Sequence, residues 1–336
     1  MERVRWGVLG DAAIGRLKVI PAMQKGRHIT VDAIASRDVD RARRATEALG
    51  VPKAYGSYKD LLADADIEAV YIPLPNHLHV PWSIKAAEAG KHVLCEKPIA
   101  LSAREAESLL EARDRTGVLI QEAFMVHTNP QWLRAHELVR GGRVGQLRAM
   151  QWLFSYMNTD PDNVRNKADI GGGGMYDIGC YPITTGRFIF EEEPTRVVAL
   201  VERDPDFRTD RLASVILDFP SGQASFVCST QLVPYQRAHI LGTTGRLEIE
   251  IPFNAPPDRP NRIFIDDGAA LGGHSAAVEV FPAVDQYTIQ GDVFSAAIRG
   301  ERAQATPLEG SVANMRVIDA VFRSAESGEW ESVAGA

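Results

Sequence analysis

Between Val4 and about Phe124 the apolar positions fall in short β-branched runs separated by longer stretches with helical spacing. Residues 4–9, 29–35, 69–72, 92–95 and 118–123 read as strands. Residues 14–25, 39–49, 80–89 and 103–116 read as the helices between them. The last helix has the clearest ends, because Ser102 and Glu105 form a capping box and Gly117 stops it. Gly50 and Gly90 stand at helix C-termini in the same way. Strands and helices alternating at this spacing predict a doubly wound parallel sheet with right-handed crossovers.

After Phe124 the rhythm changes. A helix over 131–140, stopped by Gly141 and Gly142, leads to a long strand over 147–154. Next comes Ile170-Gly-Gly-Gly-Gly-Met-Tyr-Asp-Ile-Gly-Cys-Tyr181. Strands over 196–202, 213–219, 224–229, 238–241 and 247–251, with turns at 220–222 and 243–245, have an antiparallel texture. Helices over 286–298 and 308–324 close the chain. The expectation is two domains, 1–124 and 125–336, the second an α+β domain with an open, mostly antiparallel sheet. A length of 336 residues fits that number, at roughly 150 residues per domain.

Composition narrows the function classes. With 45% apolar and 24% charged residues the chain is globular. Its 37 basic and 44 acidic residues leave a formal charge of −7, which argues against nucleic acid as the main partner yet leaves room for a local cationic pocket. No run reaches the roughly 18 apolar residues that span a membrane. Cys95, Cys180 and Cys228 are scattered, which suits buried thiols better than a disulfide framework or a zinc site. The first strand begins without a basic and apolar leader. A cytoplasmic protein without a metal is expected.

The candidate chemistry sits at strand ends. Gly10-Asp11-Ala12-Ala13-Ile14-Gly15 follows the first strand and opens a helix. The dinucleotide fingerprint Gly-x-Gly-x-x-Gly is met at Gly10 and Gly15, with Ala12 adding a methyl at the middle position. Such spacing also serves ordinary tight turns. In the first β–α unit, however, a helix N-terminus is placed to receive phosphate. Ser36 and Arg37 end the second strand and favour a 2′-phosphate, hence NADP; Asp38 keeps NAD open or caps the next helix. Lys97, within Glu96-Lys97-Pro98, could polarise a hydroxyl or carbonyl oxygen, or be a surface lysine before a turn proline. Asp177 and Tyr181 are four apart, as on one helix face, and a phenol there can relay a proton. Pro182 is awkward inside that helix. Asn76-His77-Leu78-His79 carries two histidines without a third ligand, a weak metal signal that suits loop or cap roles better.

Taken in order, Gly-x-Ala-x-x-Gly, Ala35-Ser36-Arg37, Pro75-Asn76-His77-Leu78-His79, Ala89-Gly-Lys-His-Val-Leu-Cys-Glu-Lys-Pro98 and Gly172-Gly-Gly-Met-Tyr-Asp-Ile-Gly-Cys-Tyr181 resemble the glucose–fructose oxidoreductase, inositol dehydrogenase and rhizopine-catabolism (Gfo/Idh/MocA) family. The resemblance covers essentially the whole chain. It implies a Rossmann domain, a second α/β domain whose open sheet forms a homodimer face, and hydride exchange between NAD(P) and a hydroxyl carbon of a sugar or polyol. By position, Lys97 resembles the family's catalytic lysine and Asp177 its substrate-site aspartate. Tyr181, where many members have histidine, resembles the branch of dimeric dihydrodiol dehydrogenase and NADP-dependent xylose dehydrogenases. Glu122-Ala-Phe-Met125 and Asp285-Gln-Tyr287 match that branch as well.

The resemblance further implies cofactor contacts at Gly10, Asp11, Ala12, Ala13, Ile14, Ser36, Arg37, Leu74, Asn76, His79, Glu96 and Lys97, with Arg165 and Tyr287 near the cofactor or substrate. The function implied is an NADP-dependent oxidoreductase for a sugar, cyclic polyol or dihydrodiol. The same fold also serves non-catalytic NAD(P)-binding sensors and NAD-dependent glycoside hydrolases. Lys97 and Tyr181 speak against the sensor, and Ser36-Arg37 against the hydrolase.

Overall fold

In the computed structural model, which describes residues 2–301 and 306–334, the N-terminal alternation builds a six-stranded sheet. Its strands are β1 (Val4–Leu9), β2 (Ile29–Ala35), β3 (Lys53–Tyr55), β4 (Ala69–Ile72), β5 (His92–Cys95) and β6 (Ile120–Glu122). They lie in the order β3-β2-β1-β4-β5-β6, parallel throughout. The chain winds outward from β1 and then returns to pair β4 beside it. A topological switch point therefore falls between β1 and β4, where ligands bind beyond the strands' carboxyl ends.

Local chemistry sets the helix ends. The helix expected over 14–25 is shorter, a π turn (Gly15–Val19) followed by α1 (Ile20–Met23) with Pro21 in its first turn. Asp38 caps α2 (Val39–Leu49), and Gly50 ends it in the left-handed region. The short α3 (Tyr58–Leu62) and β3 were not foreseen, both being too brief to show a period. Beyond α4 (His79–Glu88), α5 (Ala103–Thr116) has Ser102 Oγ accepting from Glu105 N at 3.2 Å. The Glu105 carboxylate accepts from Leu101 N at 3.0 Å, one residue before the position a capping box prescribes.

The core of this unit contains a residue from far downstream. Trp6 is fully buried, its ring 5.7 Å from Phe294 of α8 (Gln286–Ile298), and its Nε1 donates to Ser295 Oγ at 3.1 Å. For this reason the chain divides into Met1–Thr128 with Asp285–Val312, and Asn129–Val284 with Ala313–Ala336. The expected division was 1–124 and 125–336; in the structure α8 groups with the nucleotide unit, where its apolar side completes that core.

The second unit is a nine-stranded sheet. It comprises β7 (Leu147–Met157), β8 (Arg196–Arg203), β9 (Asp210–Phe219), β10 (Gly222–Ser229), β11 (Gln231–Gly242), β12 (Arg246–Ile249), β13 (Asn261–Asp266), β14 (Ala277–Phe281) and β15 (Glu331–Ser332). The order is β14-β13-β12-β11-β7-β10-β9-β8-β15, and β7–β10 is the parallel pair in an otherwise antiparallel sheet. β11 runs much longer than expected. A register shift between Gln231 and Tyr235 accommodates Pro234, which has no N–H for the ladder. β13 and β14, beyond the proline-rich 252–260 loop, were also unforeseen. One face of the sheet packs on α6 (Pro130–Arg140), α7 (Cys180–Phe190) and the later part of α9 (Leu308–Ser327). No helix among the described residues is long and apolar enough to cross a membrane.

Candidate active site in two side-chain clusters

The first cluster lies at the carboxyl ends of β1, β2, β4 and β5. Gly10 has φ +123°, a backbone conformation that favours glycine, and a Cβ there would meet the movable end of Leu74, Cδ2 at 2.9 Å. Ala12 and Ile14 are half-buried and Ala13 is exposed. The Asp11 carboxylate is already engaged, by Arg16 Nε at 2.8 Å and Arg41 at 3.3 Å. Asp11 therefore offers a ligand its backbone rather than its side chain.

The end of β2 resolves the two readings of Asp38. Its Oδ1 accepts from Asp40 N at 2.8 Å and Arg41 N at 3.3 Å, which makes it a helix cap. Ser36 is buried, whereas Arg37 is exposed and makes no ion pair among the described residues. The edge thus presents an uncommitted cation and a committed carboxylate.

Three buried side chains grip the turn that carries Lys97. Tyr71 OH donates to Glu96 Oε1 at 2.6 Å, and Lys97 N lies 3.3 Å from Glu96 Oε2. Ile99 N donates to the buried Glu122 Oε1 at 2.8 Å. His79, expected among the cofactor contacts, is fully buried, with Nδ1 2.7 Å from Pro98 O and Nε2 2.7 Å from Leu74 O. It staples the Pro98 turn to the loop after β4, where Asn76 begins a short 3-10 turn. Lys97 itself is half-buried, and the Lys97–Pro98 peptide is cis. Tyr287 belongs to this cluster as well; burial, and then the Glu96 carboxylate, push its phenol well above the usual range. Sequence reasoning passed over Tyr71, which reads simply as one more apolar strand position.

The second cluster belongs to the other unit. Met175–Gly179 forms a π turn that continues into α7, a widening that the i, i+4 argument for Asp177 and Tyr181 did not foresee. Pro182 falls in the first turn of α7, just after this widening. Asp177 Oδ2 accepts from Tyr156 OH at 2.5 Å and from Arg165 Nε at 2.9 Å. Burial, and then Asp177, raise the Tyr156 phenol far above its ordinary value. Arg165, expected near cofactor or substrate, is thus the counterion of Asp177. Tyr181 is nearly buried, its ring 5.1 Å from Phe253 and 5.9 Å from Phe154. Tyr156 carried no signal in the sequence beyond its alternation along β7.

A glycine turn at a doubly wound switch point, with a lysine at a neighbouring strand end, defines a dinucleotide-binding oxidoreductase. The comparisons agree. Residues 4–124 match the "Oxidoreductase family, NAD-binding Rossmann fold" model and residues 132–248 match the "GFO/IDH/MocA C-terminal domain" model. The chain belongs to the Gfo/Idh/MocA family. It is 49% identical to an uncharacterized oxidoreductase of Rhizobium meliloti, over 99% of this chain and 100% of the relative. It is 38% identical to a D-xylose 1-dehydrogenase (NADP(+)) of Haloferax volcanii, over 96% and 98% respectively. The crystal structure of a 3-ketoreductase from Actinomadura kijaniata, in complex with NADP and TDP-benzene, superposes with a TM-score of 0.89 at 30% identity, over 96% of this chain and 98% of that one.

Proposed function

We propose that this protein is an NADP-dependent oxidoreductase acting at a hydroxyl or carbonyl carbon of a sugar or related polyol. The observation that carries the reading is the Asp177 cluster. A carboxylate balanced by Arg165 and Tyr156, in a unit where aromatic rings surround Tyr181, can accept hydroxyl donors beside an apolar wall. The likeness to a D-xylose 1-dehydrogenase supports the substrate class.

NADP fits the residues of the first cluster. The positive φ of Gly10 allows the tight turn after β1 that the dinucleotide fingerprint uses, and Arg37, without an ion pair among the described residues, can meet a 2′-phosphate while Asp38 is occupied as a cap. Bound NADP would accept or supply the hydride. In this reading Lys97 holds the reacting oxygen and favours its negative charge. Tyr181 takes the hydroxyl proton in oxidation and returns it in reduction. Asp177 orients a neighbouring hydroxyl.

The deciding experiment follows absorbance at 340 nm with NADP and NAD against pentoses, hexoses, inositols, trans-dihydrodiols and dicarbonyls. Turnover with a sugar and a preference for NADP support the reading. Dinucleotide binding without turnover on any of them overturns it in favour of a sensor. Cytoplasmic residence belongs to the same reading, supported by three buried free thiols.

Its partner is a second copy of this chain, seated on the uncovered sheet face. There Val198, Leu200, Ile216 and Val227, with Ser214 and Ser225, line a concavity of about 320 Å³. Leu200 is 79% exposed, so the row is apolar yet uncovered. Farther along, Arg237 with Glu248 and Arg262 with Glu250 balance their charges, which suits self-association. Leu200→Asp should reduce the solution mass to that of a monomer in light scattering; an unchanged mass excludes this face.

A further inference from the structure

Asp210 opens β9, is 2% exposed, and lies well away in sequence from every motif considered so far. Its Oδ2 accepts from Met175 N at 2.5 Å, and the Gly174 N–H also points to it. Gly173 has φ +121°, and a Cβ there would sit 1.9 Å from Asp210 Oδ1. The carboxylate therefore fills the place of a side chain at Gly173 and fixes that peptide from below. The Gly173 peptide in turn holds both halves of the Asp177 pair. Its N–H donates to Arg165 O at 2.9 Å, and its carbonyl accepts from Asp177 N at 3.1 Å.

We propose that Asp210 is the positioning residue of this cluster: by holding the Gly173–Met175 turn it sets the Asp177 carboxylate against Arg165 and Tyr156. The proposal rests on the reading of Asp177 as a substrate contact. An ionised carboxylate suits the task, since it only accepts, and N–H groups converge on it from the turn and from its own backbone. Protonation, or an amide in its place, turns one oxygen into a donor that faces donors.

Burial pushes this carboxyl up to about 7, opposed mainly by the turn's N–H groups and by Arg203 of β8. Tyr156 of β7 and Cys228 of β10 feel its charge, and both also feel that of Asp177. A carboxyl raised in the fold contributes stability at low pH that is lost as pH rises through 7. The form that orders the site is thus the one that is costlier to fold, so activity and stability should move in opposite directions. A purely structural role would move them together.

The test compares full-length wild type, Asp210→Asn and Asp177→Asn between pH 6 and 8, with D-xylose and NADP as the assay pair. Wild-type kcat/KM should rise about tenfold over that range, following ionisation around 7, while Tm falls. Asp210→Asn should flatten both trends and raise KM about tenfold with kcat within about threefold, a positioning signature. In its crystals the Arg165–Asp177 contact should open, a readout that requires no turnover. An Asp210→Asn enzyme that keeps the wild-type KM, pH trends and contact overturns the proposal. Wild-type turnover in Asp177→Asn would instead overturn the site reading on which it rests.

Discussion

The nucleotide cluster is assembled from chain turns, each only a few residues long: Gly10–Gly15 after β1, Ser36–Asp38 after β2 and Glu96–Pro98 after β5. Parallel strands bring those turns to one edge, so the sheet supplies the geometry and each motif needs only local chemistry. The Asp177 cluster is built in another way. Tyr156 comes from β7, Arg165 from a loop, Asp177 from a π turn and Asp210 from β9. Of these Asp177 alone lies in a sequence motif, and their meeting depends on a mixed sheet whose central pair is parallel. A site made of strand-end turns tolerates change one contact at a time. One made of converging side chains loses its arrangement when any member is removed.

That contrast can be broken most sharply at the chemistry. Lys97→Met and Tyr181→Phe should each lower kcat by about 10²–10⁴-fold with folding retained, as steady-state kinetics beside a thermal melt would show. Near-normal kcat in both variants removes them from the reaction. A smaller effect is expected for Arg37→Ala, which removes a charge-assisted contact worth about 1.5–3 kcal/mol and should raise the KM for NADP about 10–100-fold while sparing NAD. Equal loss for both cofactors would show that Arg37 does not read the 2′-phosphate. Smallest of all, Asp38→Ala should cost about 1 kcal/mol as the loss of a helix cap. It should leave the NADP-to-NAD ratio alone, and a shift toward NADP would mean that Asp38 also acts on the ribose.

Legibility followed the same divide. β1, β2, β4, β5, α2, α5 and α8 stand at the residues their periodicity and caps predicted, because each is bounded by signals within a few residues of its ends. β13 and β14 were missed, and β11 was read as four residues where the strand spans twelve, since a bulge at Pro234 and a proline-rich loop interrupt the pattern. Lys97, Asp177 and Tyr181 stood out through motif order. Tyr71, Tyr156 and Asp210 did not, because their partners lie tens of residues away. His79 and Arg165 carried a signal, yet their partners proved to be main-chain carbonyls and Asp177.

By itself, the sequence determined the doubly wound half, the glycine turn, the cation at the end of β2 and the family. All of these are encoded in contiguous chain, where sterics, capping and hydrophobic period act over short range. The tertiary structure decided the return of α8 to the first core, the staple made by His79 and the buried carboxylate beneath Gly173. These depend on which side chains are excluded from water together, and burial is a property of the folded chain rather than of any segment.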